Sequence, residues 1–189
     1  MSGTNKNSKN DLEEDYIMIR LLSGRNKIEK ELGKNVKIFG KTISVNVIYS
    51  KVKNPELDLV GNIINVYLPN KYKRTQNLEI VKLAIDKMYK EIARVEIENV
   101  MEETRIKMNG LAPENYVIRK MPNKLAKTID MKTIVINPEI VKYDKKVLKY
   151  VVLHEFCHLK YKTHSKGFFE MMERYMEDYD YYDCILNVA

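Results

Sequence analysis

Hydrophobic residues alternate with polar ones between Val36 and Leu68, and this period of two predicts β-strands with one buried face. Phe39-Gly40-Lys41 and Gly61-Asn62 supply turns within the stretch, and Pro69 ends it. The pattern therefore predicts an antiparallel sheet of about four strands in this part of the chain.

A second pattern follows, in which apolar residues recur at alternating steps of three and four from Leu78 to Val95. The segment 75–109 contains no glycine or proline and is predicted to be helical. One continuous helix of that length would extend about 50 Å, which is too long for a single compact domain of this size. A break is therefore predicted between Arg94 and Asn99, where the stripe loses its phase. Asn109-Gly110 is the expected C-cap.

Two short apolar runs, Tyr116 to Lys120 and Thr133 to Asn137, are predicted strands joined by a polar loop. Next comes a helix that is apolar on most sides, with Asp144 as the expected N-cap. A helix of this kind is buried.

Ser165 is predicted to cap one more helix, with an inner face made of Phe168, Met171, Met172, Tyr175 and Met176. The acidic, tyrosine-rich segment 177–183 follows. The pattern leaves two possibilities for this segment, packing against the buried helix or a solvated end.

The buried helix carries the motif His154-Glu155-x-x-His158, and His164 follows six residues after His158. Residues four apart on a helix lie within about 40° of each other, so His154 and His158 can bind one metal ion. Glu155 projects beside the metal position, where it can hold a water and take its proton. A catalytic zinc usually needs a third protein ligand, and His164 is the expected one because a turn would bring it back.

The chain has three histidines, and all of them lie in this motif. Polar groups in a buried helix must be satisfied, and a bound cation would do so for this set. The alternative is that the histidines are hydrogen-bonded core residues. Glu170 and Glu173, on the next helix, are the alternative third ligands, while Cys157 is interpreted as a packing residue.

The motif resembles the signature of the YgjP-like and WLM-type metallopeptidases, relatives of the SprT-like proteins. The matching residues are His154, Glu155, His158, His164, Ser165 and Phe168. Residues 116–121 and 134–137 resemble the strands before the metal helix of the YgjP-like group, and residues 64–69 resemble its N-terminal sheet. The resemblance covers residues 36–180.

Two sequence features differ from known family patterns. The YgjP-like group usually carries Trp-Gly-Ser where this chain has Leu125-Ala126-Lys127. The metzincin pattern has the same histidine spacing but places a glycine where this chain has Tyr161, so the chain is not assigned to the metzincins.

The resemblance and the patterns together predict an α+β protein, with an N-terminal antiparallel β-rich lobe and then a zincin-like half. That half has a small sheet, the HExxH metal helix and a capping helix. Residues 1–14 are expected to be a disordered tail and residues 15–189 a single YgjP-like metallopeptidase domain. Its predicted parts are the β-rich lobe at 36–74, helices at 75–110 and the metal-binding half at 111–189.

The predicted function is zinc-dependent hydrolysis of peptide bonds in a peptide or protein substrate. His154, His158 and His164 are the expected ligands of Zn²⁺, and Glu155 is the expected general base. The strand from Thr133 to Asn137 is expected to align an extended substrate.

Two other functions are compatible with the motif. The same metal-activated water attacks phosphoryl centres, so a nucleotide is an alternative substrate. A DNA-associated protease is the other, by analogy with SprT-like and WLM-type proteins, although the sequence contains no recognisable DNA-binding element. Neither the substrate's identity nor the oligomeric state is predicted by the sequence.

Composition adds limits on partners and location. The 189 residues carry a net charge of +7, but the basic residues are scattered, so nucleic-acid binding is expected to be weak. No run approaches the roughly 18 to 20 apolar residues of a membrane span, and residues 1–10 lack the apolar core of a secretory signal. Two cysteines make no disulfide framework, which favours the cytoplasm.

Overall fold

The computed structural model describes residues 35–73 and 78–188, and the predicted tail at 1–14 lies outside them. The described chain is α+β, with two small sheets and four α-helices. It divides into two units. The described part of the first unit comprises residues 35–37, 42–73 and 78–88, and that of the second comprises residues 38–41 and 89–188.

The first sheet has the strand order β1-β2-β4-β3. Its strands are β1 (Asn35–Ile38), β2 (Lys41–Ser50), β3 (Glu56–Val60) and β4 (Ile63–Pro69). β3 and β4 form an antiparallel hairpin around Gly61, which confirms the predicted turn there.

The prediction of a wholly antiparallel sheet was wrong, because β2 pairs with β4 in parallel. Ser44 lies opposite Ile63, and the register continues to Ser50 opposite Pro69. Alternation of apolar and polar residues marks a strand with one buried face, but it is the same for both pairing directions. The sequence pattern therefore detected the strands without detecting how they pair.

Helix α1 (Leu78–Lys107) has 30 residues and no interruption, so the predicted break was also wrong. The buried face continues through the predicted break on a shifted set of residues, namely Ala93, Ile97, Val100, Met101 and Thr104. The division between the two units falls within the helix, between Met88 and Tyr89. A helix of about 45 Å is compatible with this chain because it is not confined to one unit.

The second sheet has the order β5-β7-β6, from β5 (Asn115–Ile118), β6 (Ala126–Ile129) and β7 (Thr133–Ile136). β5 and β7 are the two predicted strands, whereas β6 lies in the segment that was predicted to be a polar loop. β7 is central, parallel to β5 and antiparallel to β6. Among the strands that the structure describes, β6 is therefore at an edge of this sheet.

Asn137, which is buried at the end of β7, ties the loop before β6 to the sheet. Its side-chain amide donates to the carbonyls of Met121 at 2.9 Å and Lys124 at 3.0 Å, and its backbone N–H donates to that of Leu125 at 2.7 Å. These three hydrogen bonds fix the entry into β6.

Three helices complete the second unit: α2 (Lys145–Cys157), α3 (Lys166–Tyr175) and α4 (Tyr179–Val188). Asp144 is the N-cap of α2, as predicted, and its carboxylate accepts a hydrogen bond from the Lys146 N–H at 2.8 Å. α3 begins after Ser165, whose side chain makes no capping hydrogen bond.

The acidic segment lies largely in α4, and the buried Tyr182 packs its ring 6.1 Å from that of Tyr150 in α2. The segment therefore packs against the buried helix and is not a solvated end. None of the helices in the described part of the chain combines the length and apolarity that crossing a membrane requires.

Candidate metal centre

The three histidines converge where α2 ends and the chain turns back. His154 lies in the last turn of α2, and His158 is its C-cap with helical dihedral angles. The N–H groups of Lys160 and Tyr161 both bond to the carbonyl of Cys157, which closes the turn. His164 then comes immediately before the first residues of α3.

The Nε2 atoms of these histidines form a nearly equilateral triangle. His154 Nε2 lies 3.2 Å from His158 Nε2, and His164 Nε2 lies 3.1 Å from each of them. Zinc bonds of about 2.0–2.1 Å in a tetrahedron would place such nitrogens about 3.3–3.4 Å apart. The triangle thus has nearly the dimensions of one face of a tetrahedral zinc site, with the fourth position left for another ligand.

Two of the rings have a hydrogen-bonding partner on the side away from the triangle. His158 Nδ1 lies 2.9 Å from the Tyr161 carbonyl, which can only accept, so Nδ1 is the donor. His154 Nδ1 lies 3.3 Å from the Tyr150 hydroxyl, and that hydroxyl donates its proton to Asp183 Oδ1 at 2.7 Å. The His158 ring therefore directs an unprotonated Nε2 at the centre, which is the form that a metal binds.

The electrostatic surroundings favour neutral imidazoles. Burial, and to a smaller extent the neighbouring His158 and His164, lower the pKa of His154 to about 4, while Asp183 acts in the opposite direction. Burial and His158 also lower the pKa of His164, the most exposed of the three. Lowered pKa values keep His154 and His164 neutral at neutral pH, and the neutral ring is the form that binds a cation.

Glu155 lies beside the triangle and is 6% exposed. Its Oε2 accepts a 2.6 Å hydrogen bond from the hydroxyl of Thr128 on β6. Burial raises the pKa of Glu155, and the Thr128 hydrogen bond opposes that rise. Thr128 could not be identified from the sequence, because a strand of four residues within a polar segment gives no usable periodicity.

Phe168 forms an apolar wall against the histidines. Its ring centroid lies 5.0 Å from that of His154, 4.8 Å from that of His158 and 4.7 Å from that of His164. The ring is 1% exposed, so it keeps water from this side of the cluster.

The other residues weighed as ligands lie elsewhere. Glu170 is exposed and pairs with Lys166 at 3.4 Å, and Glu173 is exposed as well. Cys157 is fully buried, with Sγ 3.5 Å from the sulfur of Met172, and burial raises its thiol pKa to about 12. Within the described residues, the histidines are the one group of three or more metal-binding side chains close enough to share an ion.

The candidate site opens into a cleft of about 1310 Å³. Its walls come from segment 121–131, which contains β6, and from α2, α3 and α4. His154, His158, His164 and Glu155 all line it. A substrate in this cleft would therefore reach the histidines and the carboxylate together.

Comparison with known proteins gives one match over nearly the whole chain. A family model described as a YgjP-like metallopeptidase domain matches residues 12–189. No curated protein sequence matches significantly.

Two solved structures of metallopeptidase zymogens are similar over part of the chain. For abylysin of Pyrococcus abyssi the identity is 24% and the TM-score 0.43, over 48% of this chain and 92% of that one. For jannalysin of Methanocaldococcus jannaschii the identity is 27% and the TM-score 0.42, with the same coverage.

Proposed function

The chain belongs to the YgjP-like metallopeptidase family, and from this we propose that it hydrolyses peptide bonds with a zinc ion and an activated water. The proposed zinc ligands are His154, His158 and His164, and the proposed general base is Glu155. Membership in the family makes the chain a peptidase. The metal's identity and the residue roles are our proposal.

One observation carries the assignment: the triangle of Nε2 atoms, with sides of 3.1–3.2 Å, next to a buried carboxylate in a cleft. Three neutral imidazoles with an open fourth position are the donor set of a catalytic zinc site. When bound, zinc would polarise the scissile carbonyl and lower the pKa of a coordinated water towards about 7.

Glu155 would perform the proton transfers. Thr128 occupies Oε2, which leaves Oε1 to accept a proton from the attacking water. Because burial raises the pKa of this carboxyl, it is a better base than an exposed glutamate and can later return the proton to the leaving amine. Phe168 would limit the access of other water to the histidines.

Substrate alignment is better assigned to β6 than to β7, where the sequence analysis placed it. β7 is paired on both sides, by β5 and β6, so it has no free edge for a peptide. β6 is an edge strand, lines the cleft and carries Thr128, the partner of Glu155. An extended substrate would add to β6 as a further strand.

We further propose that the second unit is the zincin-like half and that α3 is its capping helix. Residues 15–189 would act as one peptidase domain.

A nucleotide substrate is set aside because the family is a peptidase family. No described feature favours a DNA-linked activity, and cytoplasmic location stays a prediction from the sequence.

Metal removal and reconstitution test the proposal. We expect one zinc per chain by elemental analysis, peptide-library cleavage that stops when a chelator removes the metal, and recovery on zinc addition. Metal content that stays well below one per chain after reconstitution would show that the histidines are packing residues. Full zinc occupancy without cleavage would leave the metal site standing and remove the proposed catalysis.

A further inference from the structure

Tyr150 and Asp183 line the cleft but take no part in the hydrolytic steps proposed above. Tyr150 lies on α2, one turn before His154, and Asp183 lies on α4. The Tyr150 hydroxyl lies 3.3 Å from His154 Nδ1 and 2.7 Å from Asp183 Oδ1. These three side chains, from two helices, are therefore linked by consecutive hydrogen bonds, and the last of them is a proposed metal ligand.

We propose that Tyr150 and Asp183 are positioning residues that fix the tautomer and rotation of His154. The hydroxyl of Tyr150 accepts from His154 Nδ1 and donates to Asp183, so the Nε2 lone pair of His154 is held towards the metal position. This inference rests on the proposed function, because it takes His154 as a ligand.

The direction of the hydrogen bonds follows from chemistry. An ionised carboxylate can only accept, so the single hydroxyl proton of Tyr150 goes to Asp183. The oxygen of Tyr150 is left as an acceptor, and His154 must then carry its proton on Nδ1.

Asp183 differs from the other acids of its segment in where its carboxylate lies. Glu177 and Asp178 are exposed, and Asp180 accepts a hydrogen bond from the N–H of Tyr181 at 2.8 Å. Asp183 is half-buried and accepts from a residue 33 positions earlier in the chain. This gives α4 a role at the metal site besides covering α2.

Two of the ligands are thus oriented in different ways. His158 is held by a backbone carbonyl, which no substitution removes, while His154 is held by side chains that can be changed. Groups that hydrogen-bond a metal-binding histidine typically change metal affinity by 10- to 100-fold when they are lost. A packing role for Tyr150, against the ring of Tyr182, needs only the aromatic ring and not the hydroxyl.

The experiment measures zinc affinity of the full chain by competition with a chelator. We expect Tyr150→Phe, which keeps the ring, to bind zinc about 10- to 100-fold more weakly than the parent. Asp183→Asn should lose less, because an amide oxygen can still accept from Tyr150 but carries no charge. Tyr182→Phe is the matched control, since it removes the neighbouring hydroxyl and should leave zinc affinity unchanged.

A second readout is the tautomer of His154 in the metal-free protein, measured by nitrogen NMR. The parent should carry the proton on Nδ1, and Tyr150→Phe should shift the population towards Nε2–H. If Tyr150→Phe fails to fold, Asp183→Asn carries both measurements. Unchanged zinc affinity and tautomer in a folded variant would overturn the inference.

The two hypotheses fail in different ways. A parent protein that binds no zinc would refute the proposed function, while the metal-free tautomer would still report whether Tyr150 and Asp183 orient His154. If the parent binds zinc, and Tyr150→Phe and Asp183→Asn both bind it with the parent's affinity, only the positioning role is refuted.

Discussion

The histidine segment, residues 154–168, differs from the supporting groups on β6 and α4 in how the chain brings each to the candidate metal site. The segment reaches the site by local geometry, through a helix end, a turn and a second helix start. Thr128 and Asp183 arrive from 27 and 33 positions away from their partners. The expected ligands and base are therefore brought together locally, while distant packing supplies the partners of Glu155 and of Tyr150.

The largest effect should come from removing the expected third ligand in the histidine segment. The test compares the zinc affinity of His164→Ala with that of Glu173→Ala. Removing one of three ligands forfeits a large share of a zinc-binding free energy of about 10–16 kcal/mol, so we expect at least a roughly hundredfold loss of zinc affinity for His164→Ala. Glu173→Ala should bind zinc like the parent, because the residue is exposed and outside the triangle. The opposite result would make the site a His-His-Glu site.

The next largest effect should come from Glu155→Gln, which separates chemistry from binding. We expect peptide hydrolysis to fall by about a hundredfold or more, since the amide cannot accept the proton. Zinc content and thermal stability should stay near those of the parent because the side-chain volume is kept. Hydrolysis at the parent's rate would mean that another group activates the water.

Thr128→Val tests the contact that β6 makes with Glu155, and the measurement is the pH dependence of kcat/KM. The hydroxyl of Thr128 stabilises the charged form of Glu155 and lowers its pKa, against the larger effect of burial. Its loss should raise that pKa, so the acidic limb of the kcat/KM profile should move to higher pH. The rate should fall most below that limb and recover above it. A limb that stays in place would show that Thr128 does not tune the base.

The smallest effect should come from Glu170→Gln, which serves as a control close to the site. Its pair with Lys166 is exposed on both sides, and exposed helical pairs of this spacing contribute about 0.3–0.5 kcal/mol. We expect unchanged zinc affinity and hydrolysis and at most a slight fall in melting temperature. A marked loss of zinc affinity would indicate that Glu170 is a metal ligand.

Much of the fold could be predicted because its signals are local. The alternation between Val36 and Leu68 located the strands of the first sheet, and Gly61 marked its hairpin. Asp144 was recognisable as the N-cap of α2 because a side chain there bonds to a backbone N–H two residues on. Each of these features depends on neighbours within a few positions along the chain.

The errors concern features that depend on distant partners. The parallel pairing of β2 with β4 was missed because strand alternation does not encode direction. The break in α1 was predicted from a loss of phase, but Ala93, Ile97 and Val100 supply a new buried face. The length of α1 is likewise set by packing in the tertiary structure, since the division between the two units falls within this helix.

The sequence by itself determined the candidate ligands and base, because helical spacing brings His154 and His158 together and leaves Glu155 beside them. The tertiary structure decided what surrounds them: β6 brings Thr128 to Glu155, and α4 brings Asp183 to Tyr150. The physical reason is that a four-residue strand and a carboxylate far along the chain gain their roles only through packing, and packing partners leave no periodic signal in the sequence.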